Sequence, residues 1–100
     1  MVLSAEVDEL TFEWDPAKAD SNLTKHGISF DEASTVFSDA LAQVLPEPGR
    51  NRGEDRAIMM GHSDRGRLLV VVFTGRGERI RVISARVATR RERREYEEHT

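Results

Sequence analysis

One hundred residues allow one domain with one modest core, since globular domains usually run to about 100–150 residues. Apolar residues make up 38% and charged residues 33%, enough Val, Ile, Leu and Phe to pack, which argues against a disordered chain. Cysteine is absent, which excludes disulfides, thiolate nucleophiles and thiolate-held zinc or iron–sulfur centres. The longest apolar run, Leu68 to Phe73, falls far short of the roughly 20 residues a membrane helix needs. The opening MVLSAEVDEL lacks the basic-then-apolar pattern of a secretory signal, so a soluble, cytoplasmic domain is expected.

The formal charge of −3 conceals an asymmetry. Residues 1–49 hold ten acids, two Lys and no Arg; residues 50–100 hold thirteen Arg, no Lys and eight acids. Guanidinium presents a planar fork of donors suited to phosphate, and it stays charged at any cellular pH. Two readings fit the split: an anionic partner for the second half, or an acidic layer that pairs with a basic sheet inside one fold.

Residues 1–10 read as a loose acidic extension and residues 11–98 as the single domain. Thr11-Phe12-Glu13-Trp14 alternates polar and apolar, which predicts a short strand with Phe12 and Trp14 on its buried face. Asp15-Pro16 opens a helix, Asp accepting from orphan amides and Pro preset for the first helical position. The helix stops at Gly27, with Lys25 and His26 in its last turn, where cations suit the dipole. Ser29-Phe30-Asp31-Glu32 reads as a capping box opening a second helix, with Ile28 and Ala33 as a hydrophobic staple. Phe30, Ala33, Val36 and Phe37 form its apolar stripe, and Ser38-Asp39 ends it.

Residues 42–45 fit a strand, and residues 46–53 a loop. From Arg56 the period becomes two, predicting strands at 56–62, 67–74 and 79–84 joined by short Gly-bearing turns as an antiparallel meander. Thr89 to Glu92 is a second capping box, opening a C-terminal helix. The expected fold is α+β: two N-terminal helices on a three- to four-stranded antiparallel sheet, with a helix at the end.

No metal-ligand spacing, phosphate-cradling Gly loop or GxSxG nucleophile motif appears, so neither metal nor organic cofactor is expected. Arginines do stand on the strands. Ile80 and Val82 alternate with Arg79 and Arg81, which puts both guanidiniums on one face. Arg86 joins that face only if a bulge intervenes. Cations on a sheet beside Lys25 and His26 could hold a phosphodiester while the ribose 2′-OH attacks it, a reaction needing an acid–base pair and preorganised positive charge. Imidazole is the side-chain type for such proton transfer near neutrality. Each residue also has a plainer role: His26 as a helix-end cap, Arg79 and Arg81 as solvated strand residues, Ser84 as a packed hydroxyl, Tyr96 as a packing anchor.

The ordered set Phe12-Glu13-Trp14-Asp15, Lys18, Asn22, Lys25-His26-Gly27-Ile28-Ser29-Phe30, Ala33 and Phe37-Ser38-Asp39 resembles the opening of BrnT-type toxins. Asp55-Arg56, Gly61, Gly66-Arg67-Leu68-Leu69-Val70-Val71, residues 81–86 and residues 90–96 continue the resemblance, which covers nearly all of 11–98. It implies a RelE-like fold and a ribonuclease toxin of a type II toxin–antitoxin module that blocks translation. It implies a ribbon-helix-helix antitoxin as partner, with operator DNA reached only through that antitoxin. Carried over, the catalytic candidates are His26, Arg56, Arg81, Ser84 and Arg86, with Lys25, Arg67 and Arg79 as RNA-binding candidates. The alternative is a non-catalytic module that serves as the antitoxin's partner or binds nucleic acid in operon autoregulation.

Overall fold

The computed structural model describes residues 3–7, 10–46 and 55–99. Its elements are β1 (Leu3–Val7), β2 (Leu10–Trp14), α1 (Pro16–His26), α2 (Phe30–Thr35), a 3-10 turn (Val36–Ser38), β3 (Gln43–Pro46), β4 (Arg56–His62), β5 (Leu68–Arg76), β6 (Arg79–Val87) and α3 (Arg90–Glu98). Local chemistry sets most of these boundaries. The Asp15 side chain accepts from the Ala17 amide at 2.9 Å ahead of Pro16, and Gly27 closes α1 at φ 71° with its amide on the Leu23 carbonyl. At α3 the box is complete: the Thr89 hydroxyl accepts from the Glu92 amide, and the Glu92 carboxylate accepts from the Thr89 amide.

All six strands join one sheet in the order β1-β2-β6-β5-β4-β3. This corrects the expected three- to four-stranded antiparallel sheet, since β2 runs parallel to β6 over Thr11–Glu13 and Arg79–Arg81. The chain leaves β2 through two helices and comes back through the meander, whose last strand arrives alongside β2 in the same direction. β1, within the stretch read as a loose extension, pairs antiparallel with all of β2 and forms one edge. The loop read at 46–53 lies, apart from Pro46, outside the described residues.

The helices divide between the two faces. Phe12, Trp14, Met59, Leu69, Val71, Val82 and Ala85 turn to the first face and pack under Ile28, Phe30, Ala33 and Val36 from the α1–α2 layer. Phe37 bridges Phe12 and Phe73 with edge-on ring contacts at 4.9 and 5.0 Å. On the second face a smaller cluster of Met60, Leu68 and Val70 is covered by Tyr96 of α3. β4 passes so close to the 3-10 turn that a Cβ on Gly61 would sit 2.8 Å from the Ala42 Cβ, so only glycine fits there. No helix among the described residues is long and apolar enough to cross a membrane.

β6 holds the irregularity that matters for the site. Val72 pairs with Ser84 while Phe73 pairs with Val82, leaving Ile83 as an extra residue. Val82 and Ala85, three apart, are therefore both buried in the α1–α2 core. The bulge resets the alternation, so Arg81 and Arg86 share the opposite face.

Candidate active site

Beyond the last β2–β6 pair, Glu13 with Arg81, the outer edge of β6 is met by a side chain instead of a strand. The buried Asn22 of α1 donates to the Ala85 carbonyl at 2.8 Å and accepts from the Ala85 amide at 3.1 Å, as a neighbouring strand would. Its amide also donates to the Ile28 carbonyl at 2.9 Å. One residue thus fixes helix, inter-helix turn and strand edge together.

That clamp leaves a cavity of about 180 Å³ between α1 and β6, lined by Lys18, Ser21, Asn22, Lys25, His26, Ile83 and Ser84. Of the candidates read from the sequence, His26, Lys25 and Ser84 meet here. Lys18 and Ser21 do too, and they were not among those candidates. Their signal is periodicity: 18, 21, 22 and 25 fall on one helix face. No carboxylate is among the lining residues, so the hollow is cationic and rich in hydroxyl and imidazole donors.

None of the five candidate arginines, Arg56, Arg67, Arg79, Arg81 and Arg86, lines this cavity. Arg81 donates through Nε to Glu13 at 3.0 Å, and Arg79 lies 3.6 Å from the other oxygen of the same buried carboxylate. Arg56 lies on the same face, in register with Thr74, which in turn faces Arg81. Glu13, Arg81, Thr74 and Arg56 therefore form a row across four adjacent strands. Arg67 reaches both oxygens of Glu32 and the Gly27 carbonyl. Arg86 makes a two-pronged pair with Glu92 at 2.8 and 2.9 Å. Arg67, Arg79, Arg81 and Arg86 are each received by a carboxylate outside the cavity, on Glu32, Glu13 or Glu92.

The carboxylates titrate accordingly. Glu32 was expected to close the α2 capping box. Ser29 does accept from the Glu32 amide at 3.0 Å, but the Glu32 carboxylate turns to Arg67 and Ser63. The hydrogen bonds from Arg67 hold its pKa below the usual range against the cost of burial. Glu92 is lowered to about 2, first by its hydrogen bonds from Arg86. A carboxyl whose folded pKa is depressed stabilises the fold above its unfolded value and loses that contribution as pH falls through the folded value. Acid titration of thermal stability should accordingly show a loss between about pH 4.5 and 2, worth about 1–2 kcal/mol once the exposure of Arg86 is allowed for. Glu92→Gln should flatten that part of the curve, and an unchanged slope would contradict the pairing.

A second hollow, of about 390 Å³, lies at the turn after β4 and is lined by Thr35, Ser38, Asp39, His62, Ser63 and Asp64. Asp39 is a structural hub here, accepting from the amides of Leu41 and His62 and from the Tyr96 hydroxyl. Burial opposes its ionisation, yet these bonds keep its pKa low. Among the described residues, no three His, Asp or Glu side chains are grouped as metal ligands.

A six-stranded mixed sheet with helices on both faces, carrying a cation-lined cavity at one strand edge, defines a small α+β domain. A family model described as "Ribonuclease toxin, BrnT, of type II toxin-antitoxin system" matches residues 14–92, and the chain belongs to that family. Family membership makes it a ribonuclease toxin with an antitoxin as partner. Among solved structures it is similar to the Brucella abortus ribonuclease toxin BrnT, at 26% identity and a TM-score of 0.58, covering 77% of this chain and 94% of that one. No curated protein matches significantly.

Proposed function

We propose that the protein is an endoribonuclease whose α1–β6 cavity holds the scissile phosphodiester. The observation that carries this reading is the convergence of Lys25, His26 and Ser84 on one hollow with no carboxylate in its lining. In the reaction the ribose 2′-oxygen bonds to phosphorus, the bond from phosphorus to the 5′-oxygen breaks, and the cyclic phosphate leaves with the upstream strand. One proton must leave the 2′-oxygen and one must reach the departing 5′-oxygen. His26 carries one of these transfers, Lys25 offsets the charge gathering on the phosphoryl oxygens, and Ser84 donates a hydrogen bond to them. Arg56, Arg81 and Arg86, with Arg67 and Arg79, act one step removed: they build the sheet and set its positive field, each of Arg67, Arg79, Arg81 and Arg86 beside a carboxylate.

In this reading cleavage needs no metal, translation stops because message is destroyed in the cytoplasm, and the antitoxin is a ribbon-helix-helix protein that alone contacts operator DNA. The purified toxin should degrade RNA in excess EDTA, leaving 2′,3′-cyclic phosphate ends, and Lys25→Ala should slow this at least tenfold. Activity abolished by EDTA, or products lacking cyclic phosphate, would overturn the mechanism. The pairing of Arg67, Arg81 and Arg86 with carboxylates favours one rival, a non-catalytic antitoxin partner. Harmless expression without antitoxin would support that rival, whereas growth arrest supports the enzyme.

A further inference from the structure

We infer that the α1–β6 cavity is a track for a single RNA strand laid along α1, in which Lys18 holds a phosphate other than the one beside His26. The inference rests on the ribonuclease reading and adds a residue and a substrate form to it. Lys18, Ser21 and Lys25 occupy successive turns of the same helix face, and Asn22 on that face pins it against β6. Lys18 and Lys25 are two turns apart, about 10 Å along the helix axis. Lys25 is adjacent to His26 at the C-terminal end of that face, whereas Lys18 stands at the other end with the Ser21 hydroxyl between them. The helix's mid-length acid, Asp20, is exposed and does not line the cavity.

Cations separated in this way, with a hydroxyl between and no facing carboxylate, suit consecutive phosphates better than a single one. The strand must be unpaired, because in-line attack by a 2′-oxygen needs a backbone free to rotate into a near-attack geometry. Lys18 is thus a positioning residue. It acts on how firmly a strand is held, and His26 acts on the bond that breaks.

The test compares two uncleavable ligands, a 2′-O-methylated hexanucleotide and a 2′-O-methylated dinucleoside monophosphate with one phosphate, binding the full-length toxin. Lys18→Ala should weaken hexanucleotide binding about fivefold to tenfold and reduce the slope of log affinity against log salt by about 0.7, the signature of one lost single-strand phosphate contact. The preference for the longer ligand should shrink to the same extent, and Lys18→Arg should restore it. With cleavable RNA, Lys18→Ala should raise KM and leave kcat near its starting value. Arg93→Ala, on the exposed face of α3, serves as the control and should bind as the parent does. An equal loss on both ligands would show that Lys18 shares the phosphate beside His26 and would overturn the track. So would an unchanged hexanucleotide affinity, or a parent protein that binds the two ligands alike. Cleavage that survives His26→Ala would remove the ribonuclease site while leaving these binding results to stand or fall alone.

Discussion

His26→Ala should lower the rate of RNA cleavage by roughly 10²- to 10⁴-fold, the range a positioned proton-transfer group contributes. The same substitution should leave thermal stability within about 0.5 kcal/mol of the parent, because an exposed side chain away from the core carries little folding energy. Those two readouts together separate the roles open to this residue. A helix-closing imidazole would cost stability and leave kcat largely alone. Here Gly27 already closes α1, with its amide on the Leu23 carbonyl at 2.9 Å, so the helix end does not depend on the His26 ring. kcat and kcat/KM should fall together, since the lost interaction belongs to the transition state. Cleavage measured under single-turnover conditions on a short unpaired RNA checks this, and a drop of less than threefold would remove His26 from the chemistry.

Helix boundaries were legible because their causes are local. Asp15-Pro16, Gly27, Ser29 and Thr89 with Glu92 each act within four residues, and all four start or stop a helix where their chemistry says they should. The meander was legible for the same reason, its turns being short and its strands apolar. What stayed hidden is non-local. Glu32 sits where a capping box wants it, but its carboxylate meets Arg67, 35 residues on. Glu13 reads as the solvent-facing residue of a short strand until β6 comes alongside, 68 residues later, and places Arg81 against it. Parallel pairing of β2 with β6 depends on where the whole chain returns, which no window of sequence contains.

The candidate site was half legible. His26 and Lys25 follow from the Lys-His-Gly helix end, and Ser84 from its strand, but their meeting depends on the bulge at Ile83. Arg67, Arg79, Arg81 and Arg86 stand in ion pairs outside the cavity, and of the two readings the charge asymmetry allowed, the internal one accounts for Arg67, Arg79 and Arg81. Acids of the first half, Glu13 and Glu32, take up arginines of the second. The cations that line the α1–β6 cavity are instead the two lysines of the acidic half, both on α1. A buried carboxylate beside each of these arginines also limits how far a phosphate can compete for them, since displacing it strands a charge in the fold.

Asn22→Ala should destabilise the protein by about 3–5 kcal/mol, a large part of the roughly 5–15 kcal/mol that holds such a domain folded. The estimate follows from what the change leaves behind. Three hydrogen bonds vanish, and the Ala85 amide and the carbonyls of Ala85 and Ile28 lose that partner in a buried setting. For a chain of this size each kcal/mol moves Tm by about 4–8 °C, so a fall of at least about 12 °C is expected. Asn22→Asp should be no better: it preserves an acceptor for the Ala85 amide but turns a carboxylate toward two carbonyl oxygens. Asp20→Ala, two residues away on the exposed side of α1, should stay within about 0.5 kcal/mol. The proposed cleavage site shares this dependence, because Lys18, Lys25 and His26 line one cavity with Ser84 while Asn22 holds α1 to the edge of β6. Under conditions where Asn22→Ala is still folded, hydrogen exchange should show faster opening at Ala85 than in the parent. Protection there equal to the parent's, or a Tm within about 4 °C of it, would mean that packing alone seats the helix and that the edge of β6 is satisfied some other way.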